Sequence, residues 1–273
     1  MIIDKYNKRA KEINSLLCVG LDSDFEKLPE KFKNLEFPQF EFNKWIINEV
    51  HNFAAAIKCN SAFYEARGDQ GIKELKMTMD YFKKNYSDIF LICDCKRADI
   101  GNTNNGYVTS LFDWFGFDAV TVHPYLGQEA VQPFLDRADK GSIILCRTSN
   151  PGAGEFQDLN VQNLQGSTLY KSMPLWQAVA ENVSKKWNKN NNCMLVVGAT
   201  YPEEMKKIRA LVGDMTFLVP GIGMQGGSVA EVIKAGLNSQ GLGLIINSSR
   251  GIIFSENPKE EARKLCGEIR SNL

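Results

Sequence analysis

Short apolar runs recur along this chain, and most of them stop at a polar or charged residue. Leu16-Leu-Cys-Val-Gly-Leu ends at Asp22, Ala54-Ala-Ala-Ile at Lys58, and Ile89-Phe-Leu-Ile-Cys at Asp94. Five more runs lie at 118–124, 142–147, 193–198, 216–220 and 243–247. Uninterrupted runs of this length predict strands buried on both faces, as in parallel sheets. Between them the pattern takes on a helical period. Phe40, Trp45, Ile46 and Val50 carry it over 40–53, and further helices are predicted at about 70–86, 103–115, 127–138, 202–212, 228–236 and 258–270, with one more ending near Trp187. Residues 2–14 read as an amphipathic helix covering one end of the molecule.

Eight strands, each followed by a helix, predict an α/β fold of the (β/α)8 TIM-barrel type in a single domain over 1–273. An open doubly wound sheet shares the alternation, and the unit count and length favour the closed barrel. No linker divides the chain. Residues 188–192, Asn-Lys-Asn-Asn-Asn, read as a solvated loop, and 148–166 as a connection long enough for a lid or binding segment.

Composition narrows the function classes. Lys+Arg and Asp+Glu each number 32, so the basic excess expected of a nucleic-acid binder is missing. No apolar run approaches the ~18 residues of a membrane helix, and the N-terminus lacks a signal-peptide core, so the expected location is cytoplasmic. The seven cysteines form no Cys-x-x-Cys pair and read as buried thiols in a reducing compartment. With only two histidines, His51 and His123, a metal site is not expected.

The chemistry concentrates at the strand ends, which meet at one mouth in a parallel barrel. Asp94, Lys96 and Asp99 place acid, base and acid within six positions. In a regular strand Asp94 and Lys96 share a face, with Cys93 and Cys95 on the other. Charges held side by side at a buried strand end must be paired or carry a function. His123-Pro124 reads as a packed residue and is left out of the site. The seventh unit is followed by Pro220-Gly-Ile-Gly223-Met-Gln225-Gly226-Gly227, and the eighth by Asn247-Ser-Ser249-Arg250-Gly251. Glycines let backbone N–H groups approach an anion, and Arg250 adds a forked cation, so both loops read as a phosphate grip.

Taken together, these motifs resemble the orotidine 5′-phosphate decarboxylase family, over residues 16–251 and in the family's order. Asp94-x-Lys96-x-x-Asp99-Ile100-Gly101-x-Thr103 looks like its signature, and Val219-Pro220-Gly221-Ile-Gly223-x-Gln225-Gly226-Gly227 like its phosphate loop. Cys59-Asn60-Ser61 and Arg147-Thr148-Ser149-Asn150-Pro151 look like its longer subfamily, type 2. Ala98 departs from the glycine common there, which touches only the local turn.

The resemblance implies cofactor-free decarboxylation of orotidine 5′-monophosphate to uridine 5′-monophosphate in pyrimidine synthesis. Lys96 would protonate the ring carbon within a charge network of Lys58, Asp94, Lys96 and Asp99. Asp22 and Lys58 would hold the ribose, and Thr148 and Ser149 the pyrimidine amide. Pro220, Gly221, Gly223, Gln225, Gly226, Ser249 and Arg250 would surround the phosphate. Asp99, Ile100 and Thr103 would enter the partner's site in a homodimer. Two other readings stay open: a magnesium-dependent sugar-phosphate decarboxylase or aldolase sharing the Asp-x-Lys-x-x-Asp pattern, and a catalytically silent nucleotide-binding barrel.

Overall fold

The computed structural model describes residues 1–162, 172–223 and 226–273. Eight parallel strands close into a barrel: β1 (Leu17–Gly20), β2 (Ala56–Asn60), β3 (Phe90–Arg97), β4 (Ala119–Val122), β5 (Gly141–Arg147), β6 (Cys193–Val197), β7 (Phe217–Val219) and β8 (Leu244–Ser248). β8 closes the ring on β1, with Cys18 opposite Asn247. The closed TIM barrel expected from the alternation is therefore the fold. Its strands are buried nearly throughout because one face fills the barrel interior and the other meets the helices.

The floor is fixed by the helix Ile2–Glu12. Its buried Tyr6 donates to the Leu244 carbonyl at 2.6 Å, and its Lys5 pairs with Asp118 at 2.6 Å. This helix stops short of residue 14, where Asn14 turns left-handed at φ 47°.

Three local departures from the expected pattern matter for the rim. The helix after β3 starts at Gly101, and its second half, Thr109–Phe115, widens to π spacing before Gly116 ends it at φ 81°. The described part of 148–166 contains a short helix, Gly154–Gln157, and Asn160–Gln162 pairs antiparallel with Ser172–Pro174. Elements of three or four residues are too short to show a period, so the sequence read them as loop. β3 runs on to Arg97, and its register against β4 slips between Cys93 and Arg97. All seven cysteines are free and buried.

Candidate active site

A cavity of about 480 Å³ opens at the C-terminal ends of the strands. Asp22, Lys58, Asp94, Lys96, Thr148, Ser149, Pro220, Gly221, Ser249 and Arg250 all line it. Ten residues singled out from six separate stretches of sequence thus share one pocket.

Its floor is a chain of alternating charges. Lys58 Nζ lies 3.5 Å from Asp22 Oδ1 and 3.3 Å from Asp94 Oδ2, and Lys96 Nζ lies 2.7 Å from Asp94 Oδ1. Lys58 is sealed in, its side chain 4% exposed, while the Lys96 side chain is 49% exposed to the cavity mouth. Both ammonium groups line the cavity, Lys58 from its buried base and Lys96 nearer the mouth.

The register slip explains how Lys96 is aimed. Its backbone is left-handed at φ 47°, an angle costly for a non-glycine residue. The Lys96 N–H donates to Thr121 Oγ1 at 2.9 Å, and the Thr121 hydroxyl donates to Asp94 Oδ1 at 2.9 Å. The regular alternation assumed from the sequence breaks here, yet the Asp94 and Lys96 side chains still meet. Cys93 and Cys95 are both buried, Cys95 Sγ reaching the Thr121 carbonyl at 3.5 Å. The sequence reading missed Thr121, although a lone hydroxyl inside a buried apolar run signals a hydrogen-bond partner.

Asp22 is held from both sides. The carbonyl of Leu21 accepts from the Tyr64 hydroxyl at 3.0 Å, and the carbonyl of Ser23 accepts from Gln39 at 2.7 Å. β1 passes the site at Gly20, where a Cβ would stand 1.9 Å from Ser249 Oγ, so only glycine leaves room for that side chain.

Burial works against ionising Lys58 and Asp94, and their partners outweigh it. For Lys58, burial lowers proton affinity, but Asp22 and Asp94 hold the ammonium well above the ordinary lysine range. For Asp94, burial favours the neutral acid, but Lys58 and Lys96, with hydrogen bonds from Lys96 and Thr121, hold it well below the usual carboxylate range. A depressed acid contributes its stability in full above its unfolded pKa and loses it only as pH falls through the folded value. Lys58→Met should therefore raise the Asp94 titration toward the ordinary range, shift the acid loss of stability to higher pH, and cost about 3 kcal/mol at neutral pH. Carboxyl ¹³C NMR and denaturant melts across pH check this, and an unmoved Asp94 titration refutes the coupling.

The wall after β5 is pinned by Arg147. This buried guanidinium stacks on Tyr201 at 3.8 Å and reaches Asp158 at 3.2 Å. Gln157 accepts from the Thr148 backbone at 3.0 Å and donates to its hydroxyl at 2.8 Å, so the short helix braces the rim residue. Gly198 stands against Ser149, where a Cβ would approach within 2.9 Å. Nothing in the sequence pattern pointed to Gln157, which also lines the cavity.

Two strands further round the ring, in the loop after β7, Gly221, Gly223 and Gly226 have φ of 101°, 79° and 83°, which side-chain-bearing residues rarely adopt. Gly223 and Gly226 lie beyond the cavity lining itself, and Gln225 falls outside the described residues. Asn247 lines the pocket without having been assigned a role from the sequence.

Asp99, Ile100 and Thr103 do not line the cavity of their own chain. Asp99 Oδ1 accepts from the Ile100 N–H at 2.7 Å, while Ile100 (60% exposed) and Thr103 face outward. His123 hydrogen-bonds the Ala98 carbonyl at 2.9 Å and stays out of the pocket. Among the described residues no group of three or more His, Cys, Asp or Glu is placed to hold a metal ion.

The model of the orotidine 5′-phosphate decarboxylase / HUMPS family matches residues 15–265. The orotidine 5′-phosphate decarboxylase of Cellvibrio japonicus is 45% identical over 263 residues, covering 96% of this chain and 92% of the relative. The solved structure of Leishmania donovani OMP decarboxylase superposes with a TM-score of 0.85 at 36% identity, covering 99% of this chain and 98% of that one. Leishmania donovani UMP synthase superposes with a TM-score of 0.86 at 39% identity, and there this chain spans 56% of the longer protein. The barrel, the charge array and these likenesses agree: the chain belongs to the orotidine 5′-phosphate decarboxylase family.

Proposed function

We propose that this protein converts orotidine 5′-monophosphate to uridine 5′-monophosphate and carbon dioxide, using its own charged side chains in place of a cofactor. The observation that carries the reading is an ammonium, Lys96, held 2.7 Å from a buried carboxylate in the same cavity as Arg250 and the loop after β7. The phosphate lies against Pro220, Gly221, Ser249 and Arg250, which line the cavity. Asp22 and Lys58 take the ribose, and Thr148 and Ser149 take the pyrimidine amide. This directs the ring carbon that bears the carboxylate toward Asp94 and Lys96.

When the carbon–carbon bond breaks, its electron pair stays on the ring carbon, where no neighbouring group delocalises it. A preorganised cation is the available stabiliser, and Lys96 supplies both the charge and the proton that replaces carbon dioxide. Asp94 orients that ammonium and faces the departing carboxylate. Lys58 keeps Asp94 ionised from behind, and phosphate contacts supply binding energy used at the reacting carbon.

The same reading makes the working unit a homodimer, with Asp99, Ile100 and Thr103 completing the partner's site. It is supported by the exposed apolar side chain of Ile100 and by the exposed Tyr125 and Leu126 in the loop after β4. Residues 1–273 form one domain in this reading. A cytoplasmic location fits seven free cysteines, and no helix among the described residues is long and apolar enough to cross a membrane.

The test is loss of pyrimidine absorbance from orotidine 5′-monophosphate by purified protein, with and without chelator. Equal turnover in both is expected. Activity abolished by chelation and restored by magnesium would favour the sugar-phosphate relative, and tight nucleotide binding with no carbon dioxide release would favour a silent barrel.

A further inference from the structure

Asn247 is a buried polar side chain of the cavity whose chemistry the roles above leave unused. It is the next-to-last residue of β8, opposite Cys18 of β1, is 7% exposed, and lines the pocket. Its Oδ1 is buried and accepts no hydrogen bond from any described residue. Its Nδ2 makes one long contact, 3.4 Å to Ser249 Oγ. A buried carbonyl oxygen without a donor is unfavourable, and inside a ligand cavity it marks where a donor is to be supplied. Gly20 keeps the space beside it open, since a Cβ there would come within 3.3 Å of Oδ1.

The unused atom is an acceptor, which restricts what it can meet. At neutral pH the substrate's phosphate and carboxylate offer no donor. The donors are the ring N–H and the two ribose hydroxyls. In the substrate placement proposed above, on which this inference rests, the ring N–H faces Thr148 and Ser149 across the barrel. Asn247 instead stands on β8 beside β1, between Asp22 and Arg250, where the sugar passes.

We infer that Asn247 is a substrate-positioning residue whose Oδ1 accepts a hydrogen bond from a ribose hydroxyl. Its Nδ2 donates to Ser249 Oγ, whose own proton is then free to point at the phosphate. One amide thereby links recognition of the sugar to the phosphate grip.

The experiment is a cycle of enzyme and ligand changes, reading the affinity of uridine 5′-monophosphate and its 2′-deoxy and 3′-deoxy analogues by calorimetry. In the wild type, removing the contacted hydroxyl should weaken binding about tenfold. In Asn247→Leu, of similar size and without polar atoms, that penalty should disappear for one of the two analogues. Asn247→Asp keeps the acceptor, so it should keep the hydroxyl penalty while weakening phosphate-bearing ligands more than uridine. Both analogues losing as much affinity in Asn247→Leu as in wild type would overturn the inference, as would a loss confined to phosphate recognition. Thermal melts of each variant separate misfolding from a binding defect. A wild type that binds the nucleotide but releases no carbon dioxide from orotidine 5′-monophosphate would overturn the proposed reaction instead, leaving the cycle readable.

Discussion

Lys96→Ala should lower kcat for orotidine 5′-monophosphate decarboxylation by about 10⁴-fold or more. A positioned acid is worth roughly 10²–10⁴ and a preorganised charge at the developing anion roughly 10²–10³, and one side chain supplies both. Product binding should change far less, because the phosphate and ribose contacts lie on other strands. Lys96→Arg should not rescue the rate, since a guanidinium holds its proton at any relevant pH. Single-turnover absorbance with calorimetry of uridine 5′-monophosphate separates the two quantities. A variant within tenfold of wild type would remove Lys96 from its role.

Mixing two inactive proteins should give an active one. If Asp99 works in the partner's cavity, Lys96→Ala and Asp99→Ala each disable both sites of their own dimer. A hybrid dimer gathers both defects into one site and leaves the other whole. Free exchange at equal amounts makes about half the dimers hybrids, each with one of two sites intact, so about a quarter of wild-type activity should return. The structure motivates the test because Asp99 lines no cavity in its own chain, while its neighbour Ile100 is 60% exposed. An inactive mixture in which mass spectrometry shows hybrids would make each subunit self-sufficient.

The barrel was legible because apolar runs ending at Asp22, Lys58 and Asp94 report strands buried on both faces and open to solvent at one end. The charge array was legible for the same reason: an acid and a base in such a place demand pairing. What stayed hidden depended on a neighbouring strand or on loop geometry. Thr121 matters because a register slip brings the Lys96 backbone to its hydroxyl, and no pattern along β3 forecasts that slip. Gln157 sits in a four-residue helix too short to carry a period. Asn247 was visible as a polar strand end, but its unmet acceptor exists only once β1 and β8 are side by side.

The left-handed backbone at Lys96 has an evolutionary consequence. Such an angle costs on the order of 1–2 kcal/mol for any residue except glycine, a cost set here against the ion pair that Lys96 makes with the buried Asp94. A strained backbone kept at this position is therefore a standing cost of the chemistry, and the lysine's persistence in a descendant would record continued demand for the reaction.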